Sequence, residues 1–309
     1  MQPEYTQVLN TKSGYTRAIS RFCFALVLVL AFAVLAVNGA SLLLGSFFAE
    51  RPVLQLLLND AGAYLVGLPL GWLILRTLPA RPLPLRPKRT LSLSLFAGFA
   101  CFCMTLAYAA SFATMGLLQV LGLPQQSAGE EMMMQMAPLP TLLLVAVAPA
   151  ILEEFIFRGL LYRYLSPYGE APYVLLSGLL FGLFHGNLSQ LFFAFALGCC
   201  FALLCYRTGT MVYGMLLHFL INFLSGNVLS QFLSPENEAG AMVIGMWMMA
   251  VIALGIAFAC LRHKGLRLAS GKNLPRHPLL RSFFNPGMLT FIIFVALLIF
   301  INYASYILE

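Results

Sequence analysis

Along most of this chain apolar positions do not alternate with polar ones at a helical or a strand period; they run together in blocks. Nine such blocks stand out, at about 22–48, 61–75, 91–123, from 139 up to the polar turn at 162–171, 172–185, 188–206, 211–233, 240–261 and 287–308. About 20 apolar residues in a helix cross a bilayer, so the pattern predicts about nine transmembrane helices. Merging at the third block, or at the turn between the fifth and sixth, would make eight. The third block is long for one span, which predicts a tilted helix or one broken near Gly116. The turn Ser166-Pro167-Tyr168-Gly169 predicts a tight reversal, with the fourth and fifth spans as antiparallel neighbours.

The polar segments between blocks divide by charge. Those after even-numbered blocks (76–90, 162–171, 207–210, 262–281) hold nearly all of the Lys and Arg, whereas those after odd-numbered blocks hold Arg51 alone. By the positive-inside rule the N-terminus is cytoplasmic and the C-terminus lies on the other side. Composition agrees: the chain is 61% hydrophobic and 9% charged, with a mean hydropathy of +0.88. That excludes an ordinary soluble domain and predicts an all-α, polytopic, integral membrane protein, in the plasma membrane if the source is bacterial. The formal charge of +7 is accounted for by the loops facing the cytoplasm, so it is no nucleic-acid footprint. Arg17 and Arg21 precede an apolar block that runs on to Phe48 without a small-residue cleavage site, which argues for a span over a cleaved signal peptide. The seven cysteines lie in apolar blocks without C-x-x-C spacing and read as small buried hydrophobes. Tyr162, Tyr164, Tyr206 and Tyr213 read as interfacial aromatics. The Met132–Met136 run reads as a soft packing or membrane-surface patch, and His263 and His277 as surface residues.

Removing the loops leaves five ionisable residues inside the blocks, tyrosines and cysteines aside: Glu153, Glu154, Arg158, His185 and His218. A charge at the bilayer centre costs ~2.5–3.5 kcal/mol on insertion scales, so each marks a candidate functional site. Glu154 and Arg158 are spaced to share one helix face, and Glu153 points ~100° away. One carboxylate is therefore paired and the other is left over. At ~1.5 Å per residue, Glu153 and His185 both lie roughly 18 Å from the cytoplasmic ends of their spans. His218 and Asn222, one helical turn apart, lie roughly 10–16 Å deep by the same count. One layer thus gathers a carboxylate, two imidazoles and an amide.

This set suits water activation. Glu153 would act as general base, with His185 holding the same water or shuttling its proton. His218 and Asn222 would donate to a developing oxyanion, and Glu154 with Arg158 would be a supporting ion pair. A second reading takes two histidines and a glutamate as a zinc ligand set with an open water position. The H-E-x-x-H spacing is absent, so the sequence does not choose between them.

The motifs Glu153-Glu154-x-x-x-Arg158, Phe181-x-x-x-His185 and His218-x-x-x-Asn222, in this order and each on a predicted span, resemble the signatures of the CAAX-protease and bacteriocin-processing family of intramembrane proteases. The flanks Gly186, Tyr206-Arg207-Thr208-Gly209 and Leu216-Leu217 agree. The resemblance covers about 138–230 and implies a four-helix catalytic core. It divides the chain into N-terminal helices at 1–137, a core at 138–233 and C-terminal helices at 234–309. It implies peptide-bond hydrolysis within the membrane, with Glu153 as the water-activating glutamate, His185 its partner, His218 and Asn222 the oxyanion pair, and Glu154 and Arg158 in support. The family is often labelled metalloprotease, and a metal-free glutamate mechanism has also been proposed for it, so a divalent metal such as zinc stays open. The implied substrate is a hydrophobic or lipidated peptide, with peptide processing and bacteriocin self-immunity as the roles. The rival expectation is a membrane carrier or scaffold that uses the Glu/Arg/His cluster as a proton relay or ion pair. No inverted repeat with paired broken helices supports a carrier. Besides the peptide, membrane lipids are the expected partners.

Overall fold

A backbone in lipid must satisfy its own hydrogen bonds, which leaves helices for segments as apolar as these. The computed structural model describes residues 12–125, 133, 135–225, 238–271 and 274–307, and among these the only strand-like pairing is an isolated bridge between Gly169 and Gly271. We number the long helices α1 (Lys12–Leu44), α2 (Pro52–Leu75), α3 (Leu93–Val120), α4 (Pro138–Tyr168), α5 (Glu170–Phe184), α6 (Leu188–Thr208), α7 (Val212–Ser225), α8 (Glu238–Leu266) and α9 (Pro286–Ile307). Seven helices among the described residues are long and apolar enough to cross a membrane; α5 and α7 are apolar but shorter. The chain is an integral, multi-pass, all-helical membrane protein.

Two helices change their winding along their length. Residues Ala61–Gly67 of α2 and Leu142–Val147 of α4 are π-helical, and each segment ends two residues before a proline, Pro69 or Pro149. Proline has no amide hydrogen for the carbonyl four residues back, and its ring crowds that carbonyl. A wide turn just ahead of it lets the ladder shift register without a sharp kink. A third π-helical stretch, Phe155–Leu160, directly follows the Glu153-Glu154 pair.

Several expectations need correction. α1 begins well before residue 22, because Tyr15, Ala18, Ile19 and Phe22 form a buried stripe while Arg17 stays exposed. α2 starts at Pro52, a residue suited to a first helical turn. Asp60, just outside the apolar block predicted at 61–75, therefore lies inside a candidate span, and Arg17, Arg21 and Arg163 also fall within candidate spans. α3 is one unbroken helix through Gly116, which ends near Gly122 at positive φ. Tyr162 and Tyr164 are buried in protein and do not anchor an interface: Tyr162 packs edge-on against Tyr173, and the Tyr164 hydroxyl donates to the Leu75 carbonyl at 3.3 Å. The Tyr213 hydroxyl accepts from the Leu91 amide. Cys260 is exposed, while Cys23, Cys103, Cys200 and Cys205 are buried as expected. Of the methionine run, Met136 is buried in protein; Met132, Met134 and the neighbouring Glu130 and Glu131 lie outside the described residues, as do residues 226–237. His263 and His277 are exposed. The predicted reversal is present as a 3-10 turn, Ser166–Tyr168, closed by Gly169 at φ 109°.

By compactness the chain forms two units, each assembled from segments distant in sequence. The first comprises residues 1–83, 160–173 and 270–309. Within it α1 packs along both α2 and α9. The Ser20 hydroxyl accepts from the Gly287 amide at 3.0 Å, and Tyr15 meets Ser282 at 2.8 Å. The second unit comprises 84–159 and 174–269. Here α3 packs on α6 and α8, and α7 packs on α6 and on the N-terminal part of α4. α5 and α6 approach closely because glycine meets glycine: a Cβ on Gly198 would lie 2.8 Å from Gly178 Cα. Small residues at such crossings let the backbones approach closely enough for van der Waals packing to hold helices together in lipid, where no hydrophobic driving force acts between them.

Gly178→Ala is expected to lower the melting temperature in detergent, because its Cβ would sit 2.9 Å from the Phe195 carbonyl oxygen and against Cys199 Sγ. Overpacking of this kind costs roughly 1–3 kcal/mol. Gly116→Ala, with open space around it, should be neutral or stabilising by up to ~1 kcal/mol. Equal melting shifts for the two variants would contradict the close crossing.

Candidate active site

The Glu153-Glu154 pair sits where α4 passes from α-helical to π-helical winding. Glu154 and Arg158 are both completely buried, and Arg158 Nη1 donates to Glu154 Oε1 at 2.7 Å. The ion pair expected from the spacing is present. A buried ion pair gains as its remaining groups find partners; here Arg158 Nε and Glu154 Oε2 have none among the described residues, and the other guanidinium nitrogens are engaged. Arg158 Nη2 donates to the Gly198 carbonyl of α6 at 2.8 Å. The guanidinium carbon lies 4.6 Å from the centre of the Phe181 ring and 5.2 Å from that of Phe201, both within cation–π range. An aromatic and carbonyl cage thus replaces part of the water that a guanidinium normally has.

His218 joins the same network from α7. Its Nδ1 is 3.2 Å from Glu154 Oε1. Because a carboxylate only accepts, Nδ1 carries the hydrogen. Its Nε2 lies 4.0 Å from Glu153 Oε2, too long for a direct hydrogen bond. The imidazole therefore sits between the two adjacent carboxylates. α7 approaches α4 closely enough for this because residue 214, one turn before His218, is glycine: a Cβ there would lie 2.7 Å from Glu154 Oε2. Phe201 lies over the His218 ring at 5.4 Å between centroids.

Glu153 is the carboxylate left over. Its Oε2 is buried and has no hydrogen-bond partner among the described residues, and its side chain is 13% exposed. His185 follows the last turn of α5 and is half-buried. Its Nδ1 meets the Phe181 carbonyl at 2.8 Å, and since a carbonyl only accepts, Nδ1 is the protonated nitrogen and Nε2 keeps its lone pair when the ring is neutral. The Phe181 ring takes both imidazoles edge-on, His185 at 5.0 Å and His218 at 5.7 Å between centroids. Asn222 Nδ2 donates to the Val145 carbonyl at 3.1 Å. Val145 is four residues before Pro149, so its carbonyl lacks the usual helical donor and Asn222 supplies one. One amide hydrogen is engaged in this way, and an amide carries two.

Phe201, Gly198, Gly214 and the Val145 carbonyl four residues before Pro149 were not legible as site residues. Two signals were available: Gly214 lies one turn before His218 on the same face, and Pro149 lies one turn before Glu153. Among the described residues no three His, Cys, Asp or Glu side chains converge closely enough to hold a metal ion. Glu153, His185 and His218 do not form such a set, so the zinc reading has no fitting donor group here.

Residues 135–224 match the family model described as type II CAAX prenyl endopeptidase Rce1-like. No curated protein and no solved structure matches the chain. The matched segment contains every residue of the network, from Val145 to Asn222.

Arg158→Met should lower stability by ~3–5 kcal/mol, because it leaves the Glu154 charge buried and uncompensated. Glu154→Leu combined with Arg158→Met should recover much of that loss, since well-packed apolar replacements of a buried pair are often neutral. Additive losses in a thermal or denaturant double-mutant cycle would contradict a coupled pair.

Proposed function

Because the segment holding this network belongs to the CAAX-protease family of membrane endopeptidases, we propose that the chain hydrolyses a peptide bond of a hydrophobic or lipidated peptide with water activated by Glu153. The observation that carries this reading is that Glu153 stays outside the Arg158 ion pair, partly exposed and beside His218, next to a second carboxylate fully buried against Arg158. Glu153 takes a proton from water as the oxygen attacks the scissile carbonyl, and returns it to the leaving amine. His185, with its proton on Nδ1, accepts from the same water through Nε2. His218 in its protonated form holds Glu154 through Nδ1 and directs Nε2–H to the oxyanion. Asn222 has its second amide hydrogen for the same oxygen. Donors fixed in a dry site before the reaction need no reorganisation as charge develops. No step is assigned to a metal, for want of a fitting donor set. Processing of lipidated C-terminal segments and of unmodified hydrophobic peptides, including bacteriocin-type peptides, are the two substrate classes this chemistry serves.

The test is cleavage of a quenched-fluorescent peptide library, half of it prenylated, by purified full-length protein and by Glu153→Gln, each with and without a chelator. Loss of a general base should reduce kcat by ~10²–10⁴-fold, with the chelator without effect. Equal turnover by the two proteins would remove the proteolytic reading and leave the cluster as a relay or scaffold. Chelator-sensitive turnover restored by zinc would overturn the metal-free step.

A further inference from the structure

Within the second unit, the start of α3 and the ends of α6 and α8 border a half-open cavity of about 380 Å³. It lies apart from the glutamate network, and its lining includes Leu95 and Phe99 of α3 and Phe258 of α8. Three arginines, Arg89, Arg207 and Arg262, belong to the same lining, and no acidic residue does.

The three arginines are placed differently. The Lys88 and Arg89 amides donate to the Thr208 carbonyl at 2.7 and 3.3 Å, which fixes Arg89 at the C-terminal end of α6. Arg207 is used internally: its guanidinium donates to the carbonyls of Gly265 and Arg267 and so caps the end of α8. Two helix C-termini meet here, and their negative ends are already matched by these donors. Arg89 and Arg262 are exposed, and among the described residues their guanidiniums make no ion pair or hydrogen bond. Two cations with no protein counterion therefore stand at the rim of an apolar slot. The positive-inside pattern puts this rim at the cytoplasmic leaflet.

An occupant must be anionic at one end and apolar at the other. The guanidinium fork matches phosphate oxygens in pairs. The volume is in the lower part of the range of ligand cavities, about 300–1,000 Å³, which suits part of one acyl chain and not a whole lipid. We propose that this cavity is a specific site for an anionic phospholipid, with its phosphate on Arg89 and Arg262 and one acyl chain lying against Leu95, Phe99 and Phe258. Basic pockets between helices at a cytoplasmic edge recognise anionic headgroups by the same physics. A lipid bound there joins three helices of the unit at their ends.

The test is native mass spectrometry of the purified full-length protein titrated with phosphatidylglycerol or phosphatidylcholine of the same acyl chains, with glycerol phosphate as a soluble competitor. One phosphatidylglycerol should be retained at least about tenfold more tightly than phosphatidylcholine, and Arg89→Gln/Arg262→Gln should abolish the preference. Leu95→Trp, which fills the slot and keeps both charges, should reduce retention of phosphatidylglycerol too. It carries the test if the double variant melts below wild type. Equal retention of the two lipids, an unchanged preference in the double variant, unchanged retention in Leu95→Trp, or displacement by glycerol phosphate as effective as by lipid would each overturn the proposal.

Discussion

A guanidinium with no access to solvent depends on its surroundings for its partners, and Arg158, engaged through Nη1 and Nη2 while its Nε has no acceptor among the described residues, sets the terms for its neighbourhood. Glu154 supplies the opposite charge, Gly198 a carbonyl, and Phe181 and Phe201 their ring faces. These partners come from α4, α5 and α6. His218 of α7 then binds the remaining capacity of Glu154 Oε1. Four helices are thus tied at one buried point. Removing Glu154 or Arg158 strands the other's charge where water does not solvate it, so the arrangement is held in register by the cost of the alternatives.

The consequence for chemistry is that two adjacent carboxylates have different fates. Glu154 faces Arg158 and is neutralised. Glu153, rotated on around the helix, stays outside that pair and is 13% exposed, with His218 Nε2 4.0 Å from its Oε2. Close helix crossings make this possible: Gly198 against Gly178, and Gly214 against Glu154. Each is a place where a single methyl group would push the network apart. Asn222 shows how one residue serves two ends, since its amide donates to the carbonyl that Pro149 deprives of its usual α-helical donor while staying one turn from His218.

Much of this was legible in the chain. Long apolar blocks and the sign of the loops between them mark the membrane architecture, because lipid permits few solutions. Charges inside those blocks mark the site, because they are costly there, and the spacing of Glu154 and Arg158 predicted their pairing. The π-helical turns were not legible. A hydrophobic block carries no period that reports a change in winding, and a proline in it predicts a disturbance without saying which kind. Asp60 was misplaced for a related reason: a polar residue near the end of a span looks like loop until the helix start at Pro52 is known. Phe201 was invisible as a cage residue, one apolar side chain among many, because its role depends on which helix faces Arg158.

The division of labour between the two glutamates is tested most directly by measuring turnover and melting temperature together for Glu153→Gln and Glu154→Gln. The account predicts that Glu153→Gln abolishes peptide cleavage at a near-native melting temperature, whereas Glu154→Gln lowers the melting temperature by leaving Arg158 without its counter-charge. A destabilised Glu153→Gln beside a Glu154→Gln protein of native stability that has lost all turnover would contradict it.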